Sequence, residues 1–305
     1  MASAQAASGV VPGSALAWWL AARPWSFTIS LAPVLAGTAL ALLDGHGVQI
    51  DLVVTALLAC VLIHSGTNLQ NDVGDFRRGA DGAGRVGPPR ATTEGWLSAA
   101  QVQTAAALCF AAAFIPGSYL VLKGGWPIVA IGLASVAAGA VYTAGPRPVA
   151  YSGLGEAFVV VFFGLVAVGG MYYLHSGALG ASALLAGAAL GLLAAAVLVV
   201  NNLRDIESDR RIGKYTLAVR RGRTFTVHEY AVLMLLPFAL ALALALQERS
   251  APLLAPLVLL PWAFHLARRV RREPAGTWLN SALAATAKLG LAFALLLSLG
   301  AALGR

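Results

Sequence analysis

Two polar segments interrupt a chain that is otherwise apolar, and they contain the side chains that could do chemistry. Residues 68–81 and residues 201–209 each begin where a long apolar run ends, and both are rich in asparagine and aspartate. Because residues four apart share one face of a helix, each segment can aim two or three oxygen atoms at one point. The pairs with this spacing are Asn68 and Asp72, Asn71 and Asp75, Asn201 and Asp205, and Asp205 and Asp209.

The oxygen-rich side chains of both segments predict a site for a hard divalent cation. Carboxylate and carboxamide oxygens suit Mg²⁺, which commonly bridges carboxylates to the phosphates of a substrate. Neither segment contains the histidine and cysteine ligands that are typical of zinc. We therefore expect a diphosphate to be held by Mg²⁺ between the two segments, in a site that needs no side-chain nucleophile.

Basic residues accompany both segments, and their side chains are suited to binding phosphate oxygens. Lys214 is the first expected phosphate contact, because Gly213 and Thr216 beside it suggest a tight turn with a hydroxyl nearby. Arg85 and Arg90 are expected next. The other basic neighbours are Arg77, Arg78, Arg204, Arg210 and Arg211. Some of them are expected to contact phosphate and others to mark membrane topology.

The composition indicates an integral membrane protein with many spans. Hydrophobic residues make up 59% of the 305 residues and charged residues 11%, whereas soluble domains carry roughly 25% charged residues. The net charge of +8 comes from basic residues that lie in a few loops between apolar segments, which indicates membrane topology rather than nucleic-acid binding. Cys60 and Cys109 lie inside apolar runs and are expected to be small buried side chains.

Nine apolar segments are long enough to span a bilayer, which predicts an all-α bundle with a central cavity open near the cytoplasmic side. With nine spans, seventeen Lys and Arg residues fall on one side of the membrane and three on the other, while Lys288 lies inside the last span. This asymmetry predicts a cytoplasmic amino terminus and an external carboxyl terminus. The predicted spans are 25–43, 51–67, 98–122, 126–143, 154–174, 181–202, 227–246, 251–267 and 279–303.

The segments between these spans complete the predicted organisation. Residues 1–305 are interpreted as one transmembrane domain, with residues 1–22 flexible or at the membrane interface. Residues 68–97 and 201–226 are interpreted as long cytoplasmic loops that carry the two polar motifs. Loops of this length in a compact protein are often binding segments or lids.

Over nearly its whole length, the chain resembles the UbiA-type intramembrane prenyltransferases. Within that family it is most similar to the branch that acts on 1,4-dihydroxy-2-naphthoate, because Gly79, Ala80 and Asp81 stand where the 4-hydroxybenzoate branch usually has its third aspartate. The resemblance is carried by residues 22–24, 32–38, 68–75, 79–81, 85–88, 142–148, 153–156, 201–209, 213–217, 279–280 and 286–287.

The resemblance implies a reaction and a role for each motif residue. A polyprenyl diphosphate would be joined to 1,4-dihydroxy-2-naphthoate with loss of carbon dioxide and diphosphate, giving demethylmenaquinone. The implied Mg²⁺ ligands are Asn71, Asp75, Asn201, Asp205 and Asp209. The acids assigned to catalysis are Asp72, Asp75, Asp205 and Asp209, although the motif gives Asp72 no definite role. The residues assigned to substrate or diphosphate binding are Asn68, Asn71, Arg85, Arg90, Tyr142, Asn201, Asn202, Arg204 and Lys214.

Five further residues allow two interpretations each. Glu156 either stabilises a helix N-terminus or faces the acceptor. Arg23 either anchors the first span or binds substrate, and the anchor is favoured. Tyr151 either touches the aromatic acceptor or lies at the membrane interface, where tyrosine is common. His64 is favoured as a hydrogen-bonded core residue over a ligand. Lys288 either reaches a headgroup or lines a water-filled cleft.

Alternative functions remain open at this stage. Homogentisate or 4-hydroxybenzoate could replace dihydroxynaphthoate as the acceptor. From a different class, a secondary transporter could use intramembrane acids in two related halves, but it would need charged groups near the middle of the membrane. The polar residues here cluster at span ends, which favours the transferase. The expected location is a bacterial cytoplasmic membrane, with the lipid bilayer as partner and no nucleic acid bound.

Overall fold

The computed structural model describes residues 9–79, 86–143, 145 and 148–304, and within these ranges it contains helices and no strands. The all-α expectation is therefore confirmed. The helices are α1 Ala15–Ala22, α2 Thr28–Leu43, α3 Ile50–Arg77, α4 Ala99–Gly124, α5 Trp126–Thr143, α6 Gly155–Val159, α7 Ala167–Ser176, α8 Ala181–Arg204, α9 Ile206–Arg211, α10 Leu217–Gln247, α11 Leu260–Arg272 and α12 Trp278–Leu303.

Within the ranges given above, four irregular helical segments join these elements. A 3₁₀ turn at Pro24–Ser26 lies between α1 and α2, and another at Val149–Tyr151 lies between α5 and α6. A π-helix at Val160–Val166 joins α6 to α7, and a 3₁₀ helix at Ala251–Leu259 precedes α11. Among the described residues, eight helical segments are long and apolar enough to cross a membrane. The number becomes nine if the bent pair Ala15–Ser26 and Thr28–Leu43 forms one span. The chain is thus an integral membrane protein, and its apolar helices overlap the predicted spans.

The structure corrects the predicted ends of two segments. Helix α3 runs through Arg77 rather than ending near residue 67, so the first polar motif is helical. Residues 68–97 therefore begin with ten helical residues. Most of 201–226 is helical as well, because it contains the end of α8, all of α9 and the start of α10. Polar side chains remain in these helices because neighbouring segments supply hydrogen-bond partners for them.

Helix α8 lies at the centre of the bundle and positions the second motif. It packs against α2, α10, α12 and the π-helix, and most of its apolar face is buried. Glycines let the backbones approach closely: a Cβ atom on Gly191 would lie 2.6 Å from the carbonyl oxygen of Val160. Such small-residue contacts drive helix packing in membranes, where burial of apolar surface supplies little force. The close packing fixes the position of α8 in the bundle, and with it the position of the second motif at the C-terminal end of this helix.

Candidate active site

A cavity of about 1230 Å³ lies inside the bundle, and the two polar motifs meet at one end of it. We call this the motif end. Apart from the motif residues, the cavity wall is mainly apolar and comes from helices α2 to α8 and α12. Eight of the predicted binding residues belong to the wall: Asn68, Asn71, Arg90, Tyr142, Asn201, Asn202, Arg204 and Lys214. Arg85 and Asp81 lie outside the described residues.

The first motif presents Asn71 and Asp75 on the face of α3 that borders the cavity. The carboxamide oxygen of Asn71 accepts a hydrogen bond from the Thr143 hydroxyl at 2.7 Å. The carboxylate of Asp75 is buried, pairs with the Arg90 guanidinium at 2.9 Å and accepts a hydrogen bond from the Tyr151 hydroxyl at 3.2 Å. Two distant segments thereby fix the orientation of both side chains.

Asp72 faces away from the cavity, although it was expected to act in catalysis. Its side chain is fully buried and accepts hydrogen bonds from the backbone N–H groups of Ala91 and Thr92, at 3.1 and 3.2 Å, and from the Thr92 hydroxyl. Asp72 lies on a different face of α3 from Asn71 and Asp75. Its contacts indicate that it anchors the segment that carries Arg90, and so holds that guanidinium against Asp75.

The second motif lies at a break between two helices. Helix α8 ends at Arg204, and Asp205 has a non-helical backbone (φ −101°, ψ 11°) before α9 begins. The Arg204 guanidinium binds both oxygens of Asp205, at 2.8 and 2.6 Å. It also donates to the carboxamide oxygens of Asn201 and Asn280, each at 2.8 Å. Arg204 therefore organises the motif, in addition to bordering the cavity.

Asp209 and Lys214 form the other charged pair of the second motif. The Lys214 ammonium lies 3.3 Å from Asp209, across a turn in which Gly213 has a φ of 71°. Burial raises the pKa of Asp209 to about 6; Lys214 opposes the shift, whereas Asp205 and Asp75 add to it. Burial lowers the pKa of Lys214, but the three carboxylates outweigh this effect and raise it above its ordinary value. Lys214 is therefore a permanent cation among carboxylates of both motifs.

Tyr151 joins the two motifs, and it was not among the assigned site residues. Its hydroxyl donates to Asp75, while its ring lies 5.8 Å from the Lys214 ammonium and 5.1 Å from the Arg78 guanidinium carbon. Burial raises the pKa of Tyr151, so the hydroxyl stays protonated and able to donate. The sequence offered only an aromatic residue in a polar loop. Its role depends on the contact between that loop and α3.

The remaining predicted carboxamides connect helices. Asn68 donates to the carbonyl oxygen of Ala22 at 2.9 Å and to the Ser26 hydroxyl at 3.0 Å, which fixes the bend before α2. Asn202 donates to the buried carboxylate of Glu156 at 2.8 Å. Glu156 lies in the first turn of α6. Its carboxylate is therefore held by a hydrogen bond from the second motif.

Three of the residues with alternative interpretations lie in the cavity wall, namely His64, Arg23 and Lys288. His64 forms hydrogen bonds with the hydroxyls of Ser26 and Ser30, as expected for a core histidine. It borders the cavity as well. Arg23 also belongs to the wall, beside the bend that Asn68 fixes.

The donor set fits a hard cation that completes its coordination with substrate oxygens. Across the described ranges, no three His, Cys, Asp or Glu side chains come close enough to form a complete metal site. However, Mg²⁺ is usually held by one or two carboxylates together with phosphates and water. One oxygen of buried Asp209, Oδ2, accepts no hydrogen bond from any described residue. A buried carboxylate oxygen in this state is suited to bind a cation.

Comparisons with known proteins agree with this geometry. The 1,4-dihydroxy-2-naphthoate octaprenyltransferase of Haemophilus influenzae is 37% identical over 241 residues, which are 75% of this chain and 78% of that protein. The enzyme of the same name from Mycobacterium tuberculosis is 38% identical over 230 residues, or 74% and 78% of the two chains. UbiA prenyltransferase domain-containing protein 1 of Xenopus tropicalis is 33% identical over 261 residues, or 83% and 73%.

Solved structures share the fold at low sequence identity. A UbiA homologue from Archaeoglobus fulgidus, bound to GPP and Mg²⁺, aligns with a TM-score of 0.66 at 16% identity, covering 92% of this chain and 99% of that one. A homologue from Aeropyrum pernix aligns with a TM-score of 0.68 at 17% identity, covering 90% and 96%. The model of the UbiA prenyltransferase family matches residues 30–285. This chain belongs to the UbiA prenyltransferase family.

Proposed function

We propose that this protein transfers a polyprenyl group from polyprenyl diphosphate to 1,4-dihydroxy-2-naphthoate, with loss of carbon dioxide and diphosphate, to give demethylmenaquinol, the reduced form of demethylmenaquinone. The observation that carries the proposal is the convergence of two carboxylate- and carboxamide-bearing motifs at one end of a large apolar cavity. The acceptor is proposed because the relatives from Haemophilus influenzae, Escherichia coli and Bacillus subtilis are named for this substrate.

The residues proposed to hold Mg²⁺ come from both motifs. When bound, the cation would neutralise the diphosphate and make it a better leaving group. The proposed ligands are Asn71, Asp75, Asn201, Asp205 and Asp209, all of which present oxygen atoms.

Without substrate, the Asp75 carboxylate pairs with Arg90 and the Asp209 carboxylate pairs with Lys214. In the proposed reaction, these two cations exchange their carboxylate partners for diphosphate oxygens. Arg90 and Lys214 both line the cavity, whereas Asp205 and Asp209 do not. The carboxylates released by this exchange would then be available to the metal cation that accompanies the diphosphate.

The rest of the cavity serves the prenyl chain and the acceptor ring. Its mainly apolar wall provides a surface for an isoprenoid tail and keeps water away from an allylic carbocation. The C–O bond of the donor breaks, and its electron pair leaves with the diphosphate. The ring carbon that bears the carboxylate forms the new C–C bond. Loss of carbon dioxide returns an electron pair to the ring, so the reaction needs no general base.

The proposed reaction implies a location and an orientation. We assign the whole chain to one transmembrane domain in a bacterial cytoplasmic membrane, with the motif end and the amino terminus on the cytoplasmic side. The distribution of Lys and Arg supports this orientation, since seventeen fall on the motif side of a nine-span arrangement.

A reconstituted assay tests the proposed function. Purified protein in detergent would receive octaprenyl diphosphate, Mg²⁺ and one of three acceptors: dihydroxynaphthoate, homogentisate or 4-hydroxybenzoate. We expect diphosphate release and a prenylated product with dihydroxynaphthoate alone, and loss of turnover on adding EDTA. Product with another acceptor would change the substrate assignment. Turnover that survives EDTA would remove the metal from the mechanism.

A further inference from the structure

Lys288 is a cation in the cavity wall that neither motif explains. It lies on α12, where its neighbours along the same wall are Ala284, Ala287 and Leu291. Among the residues that the structure describes, it has no hydrogen-bond or ion-pair partner. Its side chain is exposed and borders the cavity. At membrane depth an ammonium group is costly when no counter-charge accompanies it. This cost points to an anion that enters the cavity.

The position of Lys288 separates it from the motif end. Asn280, on the same helix, accepts a hydrogen bond from Arg204 and donates one to the carbonyl oxygen of Val86, which places it at the motif end. Lys288 follows eight residues later, about 12 Å further along the helix axis. Because Cα–Cβ bonds tilt towards the N-terminus of a helix, its side chain starts in the direction of the motif end. The ammonium therefore borders a part of the cavity that lies further along α12 than the motif end.

The proposed reaction brings two anionic groups into the cavity, the diphosphate and the carboxylate of the aromatic acid. Arg90 and Lys214 stand at the motif end to meet the diphosphate. Arg23 also lines the cavity, beside the bend that Asn68 fixes. The carboxylate of the aromatic acid needs a counter-ion of its own in this mainly apolar space. Lys288 supplies that counter-ion further into the cavity than Arg90 and Lys214, which neutralise the diphosphate at the motif end.

An aromatic wall in the same cavity suits a planar acceptor. The rings of Phe158 and Phe162 have centroids 4.6 Å apart, and Tyr142 continues this row at 5.6 Å from Phe158. All three rings border the cavity. Aromatic surfaces prefer offset or edge contacts with a further ring, so they can hold a planar molecule without fixing its direction. A single charge on another wall would fix that direction.

We propose that Lys288 binds the carboxylate of the aromatic acid that accepts the prenyl group, and so selects acids over uncharged rings. This inference rests on the proposed function for the identity of the acceptor. Lys288 acts in binding, so its removal should raise the KM of the acceptor and leave the KM of the donor unchanged.

The test compares Lys288→Met and Lys288→Arg with the wild type. Lys123→Met is the control, because Lys123 lies outside the cavity wall and rests against the Tyr119 ring, 5.5 Å from its centroid. We expect Lys288→Met to raise the KM of dihydroxynaphthoate about 30-fold, as for loss of a desolvated charge pair. The KM of the prenyl diphosphate should be unchanged. Lys288→Arg should recover most of the loss, and Lys123→Met should match the wild type.

Binding measurements without the donor separate this inference from the proposed function. Dihydroxynaphthoate and its uncharged carboxamide would be titrated against each protein. The wild type should bind the acid more tightly than the amide, and Lys288→Met should bind both equally. An unchanged acid preference in Lys288→Met, or a rise in the donor KM alone, would overturn the role of Lys288. Absence of turnover in a wild type that still binds the acid through Lys288 would instead overturn the proposed reaction.

Discussion

The two motifs reach the same end of the cavity by different means. The first lies on an unbroken helix, and its side chains are held by residues far along the chain: Asp75 by Tyr151, which is 76 residues away, and Asn71 by Thr143, which is 72 away. The second lies at a helix break and is held mainly by its own neighbours. There Arg204 binds the adjacent Asp205.

This difference separates local from tertiary organisation. The second motif can form its charge pairs as soon as α8, α9 and the turn after α9 form, because the partners are only one and five residues apart. The first motif acquires its geometry only when the segment after α3 and the loop after α5 pack against it. Substitutions at a distance in sequence should therefore disturb the first motif more than the second.

The largest effects should come from removing one acid of either motif. Asp75→Asn and Asp205→Asn each replace a carboxylate by a carboxamide of the same shape. If both motifs serve one cation, each change should lower kcat by about 10³-fold, the scale expected for loss of a preorganised electrostatic group. Turnover assays at saturating Mg²⁺, with membrane insertion as the control, check this. A large loss for one variant and none for the other would contradict a cation that is shared by both motifs.

Asp72→Asn should have a smaller effect, although Asp72 is three residues from Asp75. It would weaken the anchoring of Ala91 and Thr92, and through that segment the placement of Arg90. Loss of such a supporting contact typically costs about 10–100-fold. Activity assays combined with limited proteolysis of residues 86–97 would detect both consequences. A loss equal to that of Asp75→Asn, with no change in proteolysis, would make Asp72 a direct participant.

Tyr151→Phe should have a smaller effect still, and should lower activity by about tenfold. It removes the hydroxyl that donates to Asp75 but keeps the ring beside Arg78 and Lys214. Tyr173→Phe is the matched control, because that hydroxyl donates to the carbonyl oxygen of Gly124, away from the motifs. The Mg²⁺ dependence of turnover would distinguish the two variants. Equal effects would show that Tyr151 acts only through general stability.

The smallest effect should come from Arg210→Gln, which lies within the second motif region. Arg210 pairs with Glu207 at 3.3 Å, but their side chains are 52% and 78% exposed. Exposed pairs contribute about 0–1 kcal/mol to stability. Turnover and thermal unfolding should match the wild type. A severe loss of turnover at unchanged stability would mean that Arg210, like Lys214, contacts the diphosphate.

The sequence predicted what depends on composition and local spacing. Apolar length located the apolar helices, four-residue spacing placed Asn71 and Asp75 together at the cavity, and the glycine before Lys214 located a turn that the structure contains. The same spacing was misleading for the second motif, because the helix breaks at Asp205. The sequence did not predict the partners of the first motif, because those contacts join segments that only the fold brings together. For the same reason, Asp72 was assigned to catalysis on its type and spacing, whereas its position on α3 directs it to Thr92.

The end of α3 illustrates a second limit. The polar residues after residue 67 were interpreted as a loop because apolar character stops there. The helix nevertheless continues to Arg77, since Thr143, Arg90 and Thr92 satisfy its polar side chains. Tertiary partners of this kind override a boundary that is drawn from hydropathy alone.

The central claim is that both motifs bind one cation together with one diphosphate. The most direct test is a structure of the protein with Mn²⁺ and a non-hydrolysable prenyl thiodiphosphate, with the metal located by anomalous scattering. We predict a metal signal between Asp75 and Asp209, with diphosphate oxygens completing the coordination and Lys214 contacting the phosphate. A metal held by one motif alone, with the diphosphate elsewhere in the cavity, would contradict the account.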